Sequence, residues 1–292
     1  MKNIIKLFIL VPFLILTSCT DVIQIKLDEG SKIYVVDAFV NNLRSNQVIK
    51  VTTNANYFSN QETPGVSGAS VILKDLTANK QYVFNYTSNG KYVFTLTPAD
   101  TIAKTDHSYE LNVTLDGVTY TSFAVQKRTA VIDSILVVQQ EGSFGPAAKD
   151  TMYNCLLLAR DKADNNPDYY WIKTFRNDTL AENPDELNVS IDGTGGIVND
   201  PPSDTIYFTP PGTFLSFKSF HKYDKCKVEV HSVSKETYFF FIQAIAQINN
   251  GGLFATTPEN VKTNIVTPDG AKTKAIGRFN MAGVATKTTL VQ

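Results

Sequence analysis

From Lys32 onward the chain alternates apolar and polar residues with a period of two, and turn residues break the alternation at short intervals. That pattern excludes long helices from most of the length and calls for strands. Two stretches are explicit enough to pair from the sequence. Tyr82, Phe84 and Tyr86 precede Ser88-Asn89-Gly90, and Tyr92, Phe94 and Leu96 follow it. A three-residue loop with Gly90 left-handed sets Tyr86 against Tyr92, Phe84 against Phe94 and Tyr82 against Leu96, all on one face. A two-residue Asn-Gly loop would oppose Phe84 with Thr95, so the longer loop is expected. Tyr109, Leu111, Val113 and Leu115 form a second alternating run, ended by Asp116-Gly117. That dipeptide predicts a two-residue turn with Leu115 opposite Val118 and Val113 opposite Tyr120.

Runs at Ile33–Val40, Val48–Thr53 and Ala69–Leu73 complete a first block over residues 31–129, which reads as an immunoglobulin-like or transthyretin-like β-sandwich. Lys127–Thr129 reads as a linker. A second β-rich domain, 130–292, takes strands at Val131–Gln139, Met152–Arg160, Tyr169–Arg176, Leu187–Ile191, Thr205–Thr209, Thr213–Phe217, Cys226–Val230, Ile276–Ala282 and Val284–Val291, with loops between. One segment departs from the rhythm. Tyr238, Phe241, Ile242, Ile245 and Ile248 recur at spacings of three and four, which predicts a helix over 234–248. Ser234 is its N-cap, and Asn249-Asn250-Gly251-Gly252 stops it. Tyr238, Phe241, Ile242 and Ile245 are expected to lie in the core of the second domain. The fold class is therefore mainly β, two sandwich-like domains with one amphipathic helix. Thirteen Tyr and eighteen Phe favour strands in the same sense.

The N-terminus is of another kind. Lys2 and Lys6 precede an apolar run from Leu7 to Leu16, too short to span a membrane and shaped like a secretory signal. Leu16-Thr17-Ser18-Cys19 resembles the lipobox of bacterial lipoproteins, in which cleavage before the Cys leaves it lipidated. The resemblance makes residues 1–18 a signal peptide, Cys19 the lipid attachment site, and 19–30 a tether. It places the protein in the cell envelope, held to a membrane through several acyl chains, since one chain anchors only marginally. Of the 27 Lys and Arg, removing Lys2 and Lys6 leaves 25 against 28 Asp and Glu. So mild a charge gives nucleic acid no basic track.

No motif of known chemistry emerges. His221, Cys226 and His231 are five apart, which turns neighbours to opposite faces of a strand and denies a metal its convergent ligands. His107 stands alone. Asp161 to Asp168 is rich in oxygen ligands but lacks the calcium-loop spacing, and it suits a turn. Gly142-Ser143-Phe144-Gly145 and Gly65-Val66-Ser67-Gly68 both miss the nucleophile elbow. Tyr169-Tyr170-Trp171 could stack on sugars if exposed, yet alternation turns Tyr170 away from the other two. Cys155 and Cys226 are either a disulfide across a sandwich or two buried thiols. No cofactor and no catalytic residue is expected.

Tyr34-Val35-Val36-Asp37, Gly68-Ala69-x-Val71, Tyr109-x-Leu111-x-Val113, Asp168-Tyr169-Tyr170, Val233-Ser234-Lys235-Glu236-x-Tyr238 and Pro258-x-x-Val261-x-x-Asn264-Ile265 occur in an order that resembles the Bacteroidetes lipoproteins of domain-of-unknown-function family 4249. The family's late glycine-rich segment is here Ile276-Gly277-Arg278-Phe279-Asn280. The resemblance implies a non-enzymatic accessory or binding role at the outer membrane, beside a TonB-dependent receptor. The alternative is a glycan-binding module or an envelope hydrolase on a sandwich scaffold.

Overall fold

The computed structural model describes residues 30–55, 61–140, 152–161, 167–180, 187–191, 205–207, 219–251, 256–257 and 261–292. Met1–Ser31 is set apart as its own unit, and Lys32–Gln292 forms a single compact one. Cys19, the signal segment and the expected strand at Thr213–Phe217 lie outside the described residues.

The protein is mainly β. The first strands are β1 (Ile33–Asn41), β2 (Gln47–Thr53), β3 (Ser70–Asp75), β4 (Lys80–Ser88), β5 (Lys91–Phe94), β6 (Ser108–Leu115) and β7 (Val118–Val125). Next come β8 (Val131–Gln139), β9 (Met152–Arg160), β10 (Tyr169–Arg176), β11 (Thr179–Leu180), β12 (Asn188–Ile191) and β13 (Thr205–Tyr207). The chain then runs through β14 (Phe220–His221), β15 (Lys225–Val233), α1 (Lys235–Ile248), β16 (Lys274–Ala282) and β17 (Val284–Leu290).

Both hairpins form. Asp116 and Gly117 take φ of 50° and 77°, and Leu115 faces Val118 while Val113 faces Tyr120. At the first hairpin the expected register holds at Tyr86–Tyr92, but the loop differs. Ser88 pairs with Lys91, so Asn89 and Gly90 alone make the turn, with φ of 47° and 73°. A bulge between Tyr86 and Ser88 absorbs the extra residue and restores the register. The local preference of Asn-Gly for a two-residue turn and the demand for apolar pairing are thus both met.

An eight-stranded sheet runs β16-β1-β2-β5-β4-β3-β6-β7. It folds over a core of Tyr34, Val36, Ile49, Val51, Leu73, Tyr82, Tyr92, Leu111, Val113 and Tyr120, all at most 2% exposed. A second sandwich packs β8, β9, β13 and β14 on a sheet ordered β11-β10-β15-β17 with β12 beside β10. Its core includes Cys155, Leu157, Ile172, Val228 and Val230.

The expected division between residues 129 and 130 does not hold. β16 comes back from the end of the chain to pair in parallel with β1, Val36 beside Gly277 and Asp37 beside Arg278. Phe279 and Met281 thereby join the first core, while the next strand, β17, pairs with β15 in the second. The C-terminal segment belongs to both sandwiches, so no single cut separates them. Gly277 permits this pairing. Its φ is +129°, and a Cβ there would stand 2.0 Å from the Val36 carbonyl oxygen.

Helix α1 forms where expected, with Ser234 Oγ accepting from the Thr237 amide at 3.1 Å. Its burial differs from the expectation. Phe241 is 5% exposed, but Ile242 is 39% exposed. Phe241 stacks on Phe39 of β1 at 5.5 Å and lies 4.9 Å from Trp171 of β10. The helix therefore sits at the junction of the two sandwiches and not inside the second core. That neighbour turns a narrower face inward than the sequence spacing suggests.

Candidate functional site

A cleft of about 1370 Å³ opens between the edge of β7, the first turns of α1, the segment around Asn264, and β16. Each wall follows from local chemistry. The two-residue turn at Asp116-Gly117 makes Leu115 and Val118 a hydrogen-bonded pair, so bonded pairs alternate along β6 and β7. Thr119, Thr121, Phe123 and Val125 consequently point their N–H and C=O groups away from β6. Thr121 exchanges both bonds with Val266, at 3.3 and 2.7 Å. Beyond that bridge the neighbouring segment turns to β16. Asn264 donates its amide to the Gly277 carbonyl at 3.4 Å, and its side chain bonds both backbone groups of Phe279. Phe123 and Val125 are left with outward backbone groups that pair with no other backbone among the described residues. Their side chains are 59% and 42% exposed.

The opposite wall is the N-terminus of α1 with Arg278 beneath it. Arg278 Nε donates to Thr237 Oγ1 at 2.9 Å and Nη2 to Ser234 Oγ at 3.4 Å. The Phe240 ring centroid lies 5.8 Å from its Cζ. The residue is 4% exposed. Among the described residues no carboxylate approaches its guanidinium within 4 Å. Burial lowers its pKa to about 10, with Glu236 opposing that from a distance, so it remains a cation at neutral pH. Lys127, Lys235 and Lys262 line the same cleft, all exposed and outside any ion pair among the described residues.

The linker forms the third side. Arg128 Nε reaches Asp161 Oδ1 at 3.1 Å and its Nη2 reaches Asp168 Oδ2 at 2.6 Å. The Tyr170 hydroxyl also bonds Asp161. The two ends of the acidic run therefore hold Arg128; residues 162–166 between them lie outside the described residues.

The residues singled out from the sequence do not converge here. Cys155 and Cys226 are 1% and 0% exposed, both reduced, on facing sheets of the second sandwich. Interaction with the Cys155 thiol, together with burial, pushes the Cys226 thiol up. His107 Nδ1 bonds Asp75 at 2.8 Å, His221 lies 3.6 Å from Asp224, and His231 lies 3.1 Å from Glu229. Burial lowers the pKa of His231. Burial opposes ionisation of Glu229, but bonds from His231 and Lys227 outweigh it and hold that carboxyl at about 2. Tyr170 is fully buried, and Trp171 is packed among Phe39, His231 and Phe241, so the trio presents no open aromatic shelf. Sequence reasoning missed Arg278 and the open edge at Phe123 and Val125. The one available signal for the first was an Arg in the middle of a strand whose other polar residues, Lys274 and Asn280, lie toward its two ends.

Residues 20–288 match the family described as Domain of unknown function (DUF4249). The chain belongs to that family. No curated protein matches it. The DUF4249 match spans both sandwiches, the helix and every wall of the cleft.

Proposed function

We propose that this DUF4249 protein is a lipid-anchored component of the cell envelope that binds a partner rather than transforming a substrate, at the outer membrane beside a TonB-dependent receptor. The observation that carries the binding role is the cleft, where an open strand edge faces a buried cation that, among the described residues, no carboxylate reaches within 4 Å. Such groups gain most from a partner that completes them. The anchoring part rests on the Leu16-Thr17-Ser18-Cys19 sequence. Affinity capture from detergent-solubilised outer membranes tests the role: a TonB-dependent receptor should co-purify with the wild-type chain, and capture of none would refute it. For the anchor, Cys19→Ala should lose labelling by a clickable palmitate analogue and leave the membrane fraction. Equal labelling of wild type and variant would refute it.

A further inference from the structure

We infer that the cleft takes an extended, acidic polypeptide segment, which adds a strand to the open edge of β7 and sets a carboxylate on Arg278. The inference rests on the binding role proposed above and gives the chemistry of what is bound.

Two independent features require it. The first is the strand edge. Phe123 and Val125 line the cleft with two N–H and two C=O groups turned away from β6, beside Asn264, whose amide bonds β16 and whose carbonyl accepts from the Ser122 hydroxyl. An extended backbone satisfies that row of alternating donors and acceptors in register, which is the geometry of recognition by strand addition. The exposed Phe123 and Val125 side chains offer apolar contacts to alternate residues of such a strand.

The second is the buried charge. Nε and Nη2 of Arg278 donate to hydroxyls, while Nη1 makes no hydrogen bond among the described residues. A guanidinium out of water is normally compensated by a carboxylate, and the planar fork suits two-point contact with one. Here the one carboxylate that acts on it, Glu236 in the first turn of α1, does so without an ion pair within 4 Å, and the positive end of the helix opposes that attraction. Ser234 and Thr237, the only side chains hydrogen-bonded to Arg278 among the described residues, are neutral. The rim points the same way. Lys127, Lys235 and Lys262 are uncompensated, and Asp168 is engaged by Arg128, which leaves Asp106 and Glu236 as the opposing charges. A carboxylate-bearing strand supplies a backbone partner for the edge and a direct ion pair for Arg278 together.

The test is fluorescence anisotropy with the full chain in detergent and a labelled, C-terminally amidated peptide of alternating Val and Glu. This peptide should bind, and a Val and Lys counterpart should not. Methylating every second backbone nitrogen should abolish binding, because it removes the donors facing β7. Arg278→Gln should weaken binding roughly tenfold to a hundredfold, the worth of hydrogen bonds to a charged group. Lys262→Glu is exposed and should fold normally, so it carries the charge argument even if Arg278→Gln loosens the helix cap. Salt should weaken the wild type more than Lys262→Glu. Equal binding of the Lys peptide, indifference to methylation, or wild-type affinity in folded Arg278→Gln and Lys262→Glu would each overturn the inference. Receptor capture separates this from the broader role. If folded Arg278→Gln still captures a receptor as well as wild type, the cleft assignment falls while the binding role stands.

Discussion

Replacing Phe241 by Ala tests whether α1 fastens the two sandwiches together. The ring is 5% exposed and lies against Phe39 from the first block and Trp171 from the second. An aromatic side chain buries roughly 150–250 Å², and at about 25 cal/mol per Å² its transfer is worth roughly 4–6 kcal/mol. Ala retains a little of this, and mutational series place Phe→Ala at about 3–5 kcal/mol. That is a large fraction of a typical stability of about 5–15 kcal/mol. In urea, with a slope near the upper end of about 1–3 kcal/mol per molar, the midpoint should fall by roughly 1 to 2 M. Ile242→Ala is the matched control. Its side chain is 39% exposed, so its cost should stay within about 0.5 kcal/mol, as for an ordinary surface position. The two variants should be measured in parallel by tryptophan fluorescence, since Trp171 touches the deleted ring. Equal midpoints for Phe241→Ala and wild type would refute the packing argument. A larger loss for Ile242→Ala would show that the helix buries the face the sequence spacing suggests.

Acid should unfold the protein in two stages. Burial sets the His231 pKa below its ordinary 6.5, so its contribution is full above that pH and is lost as pH falls below it. The Glu229 carboxyl, held at about 2 against an ordinary 4.5, contributes roughly 3 kcal/mol above pH 4.5 that is lost as pH falls toward 2. Urea midpoints measured across pH 7 to 2 should therefore fall, and Glu229→Gln should flatten the lower stage; a flat profile in the wild type would contradict the assignment. Gly277→Ala should cost roughly 2 to 6 kcal/mol, combining backbone strain at φ +129° with a clash against the Val36 carbonyl. Gly270→Ala, with φ +78° but open space, should cost about 1–2 kcal/mol, and equal melting of the two variants would argue against close approach of β16 to β1.

Much of the fold was legible because its signals are local. Alternation at Tyr109–Leu115 and the Asp116-Gly117 turn fixed the second hairpin pair by pair. Ser234 and the spacing after it fixed the helix and its cap. The departures arise where a distant neighbour competes. Asn89-Gly90 kept its preferred two-residue turn because a bulge next to it could restore the apolar register, and no sequence rule states which device will yield. Ile242 and Phe241 are equally apolar, yet only one meets Phe39 and Trp171.

Arg278 shows the same limit at the candidate site. Its identity and its place in a strand were readable, but its burial, its unpaired charge and its position under α1 depend on β16 lying beside β1, some 240 residues earlier in the chain. The open edge at Phe123 and Val125 likewise exists because the Asn264 amide turns to β16, while its carbonyl takes the Ser122 hydroxyl and not a backbone N–H of β7. By itself the sequence determined the strand content, the Asp116-Gly117 turn, the helix cap and the family, since each depends on residues within a few positions or on their order. The tertiary structure alone decided the interleaving of the two sandwiches, the buried face of the helix and the cleft. Those depend on which distant strands win the competition to pair, and side-chain periodicity is silent on that choice.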